Sequence, residues 1–245
     1  DNVVEPSVNT PWYTGPTLLE HLESVPVAGP EIDAPFRMPV QYVIRPRAGA
    51  ATSAESGRNL HDYRGYAGRV VAGVVAAGDE VVVLPSGQRS RVQAVETADG
   101  PLPIAGAGRS VTVLLTDDLD ISRGDILAAA DAPPRVTDQL DTTVCWLADN
   151  PLRPGARLLL KHGTRTTQVI VGAITERLDT DTYTFEPAPA ELGINEIAHV
   201  GLRTADPLPV DAYADIRGTG SFVLIDPPTG NTLAAGLIGA FGDRR

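Results

Sequence analysis

The chain has 245 residues, 42% hydrophobic and 21% charged, enough for one or two domains with a buried core and no disulfide staples. Its 24 glycines and 21 prolines, with only 5% aromatic residues, exclude a helical bundle and suit many short strands. A net charge of −11 opposes nucleic acid or an anionic membrane as the main partner, no apolar run of about 18 residues is present to span a bilayer, and no basic-then-apolar signal pattern opens the chain, so a cytoplasmic location is expected.

The first segment carries the one convincing helix signal. Thr14 or Gly15 can cap it, Pro16 suits the first helical position, and Leu18, Leu19, Leu22 and Val25 recur at helical spacing, which predicts a helix over about residues 15–24. Such a short amphipathic helix is marginal alone and is expected to pack against something. Pro26 ends it, and residues 27–34 read as a linker. From Phe36 the period changes to two: Phe36, Met38, Val40, Tyr42 and Ile44 predict a half-buried strand. The stretch from Arg47 to Gly57 has no periodicity and is expected to be a mobile loop.

Strands are then predicted at 69–75, 80–84, 90–96, 110–115 and 125–128, separated by Gly-containing turns. After a second linker at 130–134, further strands are predicted at 142–147, 157–162, 166–174, 182–186, 196–203, 212–216, 222–226 and 232–241. Turn clusters such as Asp206-Pro207 and Asp226-Pro227-Pro228-Thr229-Gly230 separate them. Even spacing of short strands gives an all-β fold of two consecutive barrels, at 35–129 and 130–245, after a short helical segment at 1–26.

No complete active site is legible. His21, His61, His162 and His199 show no metal-ligand spacing, and the single Cys145 excludes an intrachain disulfide and a zinc site on paired cysteines. Asp117, Asp118 and Asp120 lack the glycine and distal glutamate of a calcium loop. Gly218-Thr219-Gly220-Ser221 is a poor nucleophile elbow and reads as a tight entry into a strand. Gly106-Ala107-Gly108 lacks the third glycine and the helix of a dinucleotide site, and Asp62-Tyr63-Arg64-Gly65 matches a GTPase switch by accident. The only lysine, Lys161, precedes a histidine, and no Gly-x-x-x-x-Gly-Lys-Ser/Thr occurs, so nothing here suits β- and γ-phosphates. The chain opens on Asp1 rather than Met, which suggests processing or a fragment.

The run Arg64-Gly65-Tyr66-Ala67-Gly68-Arg69-Val70, then Gly78-Asp79-Glu80-Val81-Val82-Val83-Leu84-Pro85, then Arg123-Gly124-Asp125-Ile126-Leu127-Ala128 resembles the second domain of translation-factor-type GTPases such as elongation factor Tu. The closing Thr219-Gly220-Ser221-Phe222-Val223-Leu224-Ile225-Asp226, together with Asn9-Thr10-Pro11-Trp12-Tyr13 and Gly15-Pro16-Thr17-Leu18-Leu19-Glu20, closely resembles the GTPase subunit of bacterial sulfate adenylyltransferase. This resemblance implies that residues 1–26 end a GTP-binding domain and that the barrels are its second and third domains. GTP and Mg would then belong to a domain preceding Asp1, with no cofactor, metal or catalytic residue in this chain.

The implied partners are the catalytic subunit that makes adenosine 5′-phosphosulfate from ATP and sulfate, the chain's own GTPase domain and, as in some relatives, a fused adenylylsulfate kinase, which would begin beyond Arg245. No nucleic-acid or membrane partner is implied. Arg64, Tyr66 and Arg69 enter the first barrel where, by resemblance, it approaches the nucleotide domain, and Arg217 precedes the Thr-Gly-Ser-Phe strand. These four are the interface candidates, with bracing of barrel rims as the structural alternative. The competing function is that of RNA- or ribosome-contacting barrels of a translation elongation factor; the net charge and the Thr-Gly-Ser-Phe block favour sulfate activation.

Overall fold

The computed structural model describes residues 2–25, 31–46, 63–187 and 190–239. The stretch from Arg47 to Gly57, expected to be a mobile loop, lies outside the described residues. Two units, Asp1–Pro30 and Glu31–Arg245, are compact in themselves.

In the first unit, the helix α1 runs over Leu18–Ser24, three residues later than the sequence suggests. Thr17, not Thr14 or Gly15, is the N-cap. Its hydroxyl accepts the Glu20 N–H at 3.2 Å, and the Glu20 carboxylate accepts the Thr17 N–H at 2.8 Å, closing a capping box that leaves Pro16 outside the helix. Two further N–H groups of the first turn, on Leu18 and Leu19, donate to the carbonyls of Asn2 and Val3. The expected apolar stripe is present, but Leu18, Leu19, Leu22 and Val25 are all exposed.

The second unit is built from β1 (Arg37–Ile44), β2 (Gly65–Arg69), β3 (Val74–Ala76), β4 (Glu80–Leu84), β5 (Gln88–Thr97), β6 (Gly100–Leu102), β7 (Ile104–Gly106), β8 (Ser110–Leu115) and β9 (Ile126–Ala129). It continues with β10 (Arg135–Trp146), β11 (Arg157–His162), β12 (Arg165–Asp179), β13 (Thr184–Pro187), β14 (Ile197–Val210), β15 (Ser221–Ile225) and β16 (Thr232–Ile238). One sheet has the order β4-β9-β1-β2-β8-β5-β6, and β4 also pairs with β5, so six of its strands close into a barrel. The other has the order β11-β15-β16-β10-β14-β12-β13, and β11 also pairs with β12, which closes a second six-stranded barrel. Within these two sheets closure leaves edges only at the appended β6 and β13, while β3 and β7 pair with each other in a separate two-stranded sheet. Each barrel is filled by its inward rows: Met38, Val40, Val81, Val83, Val113 and Leu127 in the first, Leu140, Val144, Leu160, Val200, Leu202 and Leu224 in the second.

Several elements depart from the sequence expectation, each for a local reason. The predicted strand at 69–75 is two strands, because Gly73 takes a positive φ of 69° and a Cβ there would lie 2.5 Å from the Phe36 backbone nitrogen. No strand forms over 212–216; the Asp215 and Ile216 N–H groups both donate to the Ala212 carbonyl, making a turn that Ile216 anchors at 3% exposure. Asp206-Pro207 does not end a strand. It lies in a bulge of β14, where Thr137 pairs with Leu208 but Gln139 pairs with Arg203, and the Thr204 hydroxyl closes the bulge on the Asp206 carbonyl at 2.8 Å. The short β6 and β7 carried no periodicity long enough to read.

β1 departs most informatively. Its first half is not half-buried: Arg37, Met38, Pro39 and Val40 are all buried. The register explains this. Arg37 pairs with Ala128, which pairs with Val82; Pro39 pairs with Ile126, which pairs with Leu84. These two rows lie on the outside of the first barrel, where residues between them, Met38, Leu127 and Val83, point inward. Val82, Leu84, Ile126 and Ala128 nevertheless form a buried apolar cluster of their own. The outer face of β4-β9-β1 is therefore a packing surface, and Arg37 and Pro39 in the same rows show what it meets.

Candidate functional site

The second barrel meets this strip through Asp211, just after β14, and through the turn at Gly163. The Arg37 guanidinium, 3% exposed, donates to both Asp211 carboxylate oxygens, Nε to Oδ2 at 2.9 Å and Nη2 to Oδ1 at 3.0 Å, while its Nη1 donates to the Phe36 carbonyl. This two-pronged geometry suits guanidinium and no lysine could reproduce it. Thr219, fully buried, donates from its hydroxyl to Asp211 Oδ2 at 2.6 Å. Its carbonyl accepts from His162 Nε2 at 2.8 Å, so Nε2 carries the imidazole proton. Around this chain of contacts, Arg165 pairs with Asp125 at 3.6 Å across the barrels, and a Cβ on Gly218 would lie 2.7 Å from Val71. The Thr-Gly-Ser-Phe block thus begins in the centre of the junction, and its threonine joins the second barrel's histidine to the first barrel's arginine.

Burial pushes the His162 imidazole below its ordinary pKa; the bond to the Thr219 carbonyl and the nearby Asp211 charge oppose this less strongly. The folded protein therefore holds His162 neutral where the unfolded chain takes a proton. Below about pH 6.5 the unfolded state binds more protons, so the contribution of His162 to stability is full above that value and is lost as pH falls towards the depressed folded pKa. His162→Gln keeps a donor for Thr219 but cannot titrate. The fall in melting temperature between about pH 7 and pH 5 should be shallower in the variant, and an identical pH slope would exclude His162 as its source.

The four residues singled out by sequence do not form one surface. Arg64 Nη1 and the Tyr66 hydroxyl both donate to the Leu119 carbonyl, at 2.8 and 3.0 Å, and Arg64 also pairs with Asp118. Tyr66 is 1% exposed and belongs to the first barrel's core, so it has no face to offer a partner. Its phenol is pushed above the usual range by burial. Arg69 is exposed at the end of β2, opposite Ser110. Arg217 is exposed with its guanidinium 5.9 Å from the centre of the Tyr213 ring, and its N–H donates to Glu31 at 3.3 Å. Arg37, Asp211 and His162, which do converge, are ordinary residues in sequence; only their burial singles them out.

A second polar cluster braces the hairpin of β12 and β13. Arg177 lies between Glu186 and Glu196, and both raise its pKa. At the tip, the Asp179 carboxylate accepts the N–H groups of Asp181 and Thr182, at 2.8 and 3.1 Å, which holds it below the usual carboxylate range. Among the described residues no group of three or more His, Cys, Asp or Glu could hold a metal ion. No helix there is long and apolar enough to cross a membrane. One open cavity of about 710 Å³ lies between Trp146, Pro151, Leu158 and Asn231; the Asp226 carboxylate on its wall accepts the Thr229 N–H and hydroxyl, as the side chain of a turn does.

Residues 66–128 match the family model for elongation factor Tu domain 2, and residues 139–239 that for the GTP-eEF1A C-terminal domain-like family. The bifunctional enzyme CysN/CysC of Mycobacterium tuberculosis is 46% identical over 97% of this chain. Sulfate adenylyltransferase subunit 1 of Methylorubrum extorquens is 44% identical, and the bifunctional enzyme NodQ of a Rhizobium species 41% identical, each also over 97% of the chain. The chain spans 38%, 48% and 35% of these three proteins' own lengths. Among solved structures, Sup35 complexed with GMPPNP matches 97% of this chain and 55% of its own, with a TM-score of 0.70 and 24% identity, which establishes the shared fold.

Proposed function

Because the chain is a homologue of sulfate adenylyltransferase subunit 1 and of the CysN/CysC enzymes over 97% of its own length, we propose that it forms the barrel region of a sulfate-activating GTPase subunit. In this reading the barrels relay the nucleotide state of a GTPase domain to a cytoplasmic catalytic subunit, which forms adenosine 5′-phosphosulfate and pyrophosphate from ATP and sulfate. No residue here suits a β,γ-phosphate cradle, so GTP and Mg are assigned to that other domain. The fusions named CysN/CysC and NodQ make an attached adenylylsulfate kinase part of the same proposal.

The observation that carries the reading, beside the identity, is the junction. A GTPase changes shape near its γ-phosphate, so a distant active site feels hydrolysis only through bodies that move without deforming. A buried two-pronged ion pair, the apolar rows beside it and Thr219 at its centre make the barrels such a body. The elongation-factor alternative is weaker: the likeness to Sup35 is at the level of fold, and a net charge of −11 repels a phosphate backbone.

Mixing the chain with the adenylyl-transferring subunit of the same organism tests the two halves separately. Association at tens of micromolar or tighter is expected by calorimetry, with no GTP-dependent gain in adenosine 5′-phosphosulfate formation. Absence of binding would refute the relay role; stimulation by GTP would refute the assignment of coupling to a separate nucleotide domain.

A further inference from the structure

The hairpin of β12 and β13 is built to hold one aromatic ring away from the barrel. Only three non-glycine residues among those described have positive φ: Asn2, Asn195 and Tyr183. Asparagine tolerates that conformation, whereas an aromatic residue there is a steric outlier, and Tyr183 holds φ 58° with its side chain 79% exposed. The tip is ordered around it. The Tyr183 N–H donates to the Asp179 carbonyl at 2.8 Å, the Asp179 carboxylate accepts the Asp181 and Thr182 N–H groups, and the Thr182 and Thr184 hydroxyls bond to each other at 2.8 Å.

The root is fixed on both faces. Leu178, 8% exposed, pairs with Phe185, whose ring lies 4.3 Å from that of His199, and on the other face Arg177 joins Glu186 and Glu196. Among the described residues this strained, exposed tyrosine has no ring contact and no hydrogen bond from its hydroxyl.

Charge indicates what the arm meets. No Lys or Arg occurs between Arg177 and Arg203, while Asp179, Asp181, Glu186, Glu191 and Glu196 do. The root carboxylates are matched, Glu186 and Glu196 by Arg177 and Glu191 by Arg153 at 2.6 Å. Among the described residues Asp181 at the tip forms no salt bridge, and Asp179, held by backbone N–H groups, feels only the more distant Arg177. We propose that the β12–β13 hairpin is a docking arm that inserts Tyr183 into an apolar pocket rimmed by Arg or Lys on the adenylyl-transferring subunit. The identity of that partner rests on the function proposed above. Tyrosine suits the role because it supplies a large amphipathic contact with few torsions to freeze.

The test is calorimetric binding of the chain and its variants to that subunit. Tyr183→Gly removes the ring and relieves the backbone, so the variant should melt no lower than the unaltered chain while its Kd rises about tenfold or more. Tyr183→Phe should bind within about threefold of the original, and Asp181→Lys should weaken binding most at low salt. Binding by Tyr183→Gly with unchanged Kd overturns the docking arm and leaves the proposed function standing. Failure of the unaltered chain to bind overturns both.

Discussion

Asp211→Ala should be the most damaging single substitution in the barrels, at about 3–5 kcal/mol. The Arg37 guanidinium is 3% exposed and both prongs of its bond end on Asp211, so truncation leaves a buried positive charge without its counter-charge. The Thr219 hydroxyl loses its acceptor at the same time. Urea unfolding of the chain and the variant measures the loss as a fall in midpoint. A buried pair costs heavily to break but little to replace, so Arg37→Met combined with Asp211→Leu should recover most of the loss. A single variant within about 1 kcal/mol of the original would mean that water reaches the guanidinium and that the junction is not sealed.

Gly220→Ala should follow, at about 1–3 kcal/mol. A Cβ there would lie 2.4 Å from the Tyr213 Cα, 2.6 Å from the Tyr213 nitrogen and 2.7 Å from the Ile216 carbonyl oxygen. All three obstacles are backbone, so no rotamer change can relieve them. The Ile238 N–H also donates to the Gly220 carbonyl at 2.7 Å, which ties any displacement to β16. Gly201→Ala is the control: the nearest atom to its added Cβ is the Ala173 carbonyl oxygen at 3.9 Å, so its melting temperature should match that of the original. Equal melting temperatures for the two variants would show that the turn at 212–216 yields freely.

The all-β architecture was legible because its signals are local. Alternation located β8 and β11 to the residue, since each has a core face and a wetter face, while β4, dry on both faces, was bounded by the Gly-containing turns on either side of it. The same rule misread the start of β1, where both faces are dry; a period of two cannot register that Arg37 and Pro39 face a second barrel. The functional pattern divides similarly. The resemblance drew attention to Thr219 through the block it begins, yet nothing local marks Arg37 and Asp211 as partners, because the contact spans 174 positions. Tyr66, named as an interface candidate by resemblance, is 1% exposed with its hydroxyl on the Leu119 carbonyl, and neither its burial nor that partner 53 positions away is marked locally in the sequence.

The separation between Arg37 and Asp211 also sets an order of events during synthesis. The first barrel is complete when β9 ends at Ala129, yet its outer rows, Arg37-Ala128-Val82 and Pro39-Ile126-Leu84, lack the counter-charge and the buried Thr219 of the junction until Asp211 and Thr219 have emerged. At about 5–20 residues per second the intervening ~80 residues take on the order of 4–16 s. For that interval a finished barrel carries an apolar stripe with its junction unsealed, and the solvated guanidinium of Arg37 at its edge keeps it from pairing with an identical nascent chain. The residue that later needs a buried counter-ion is first the charge that keeps the half-made protein soluble.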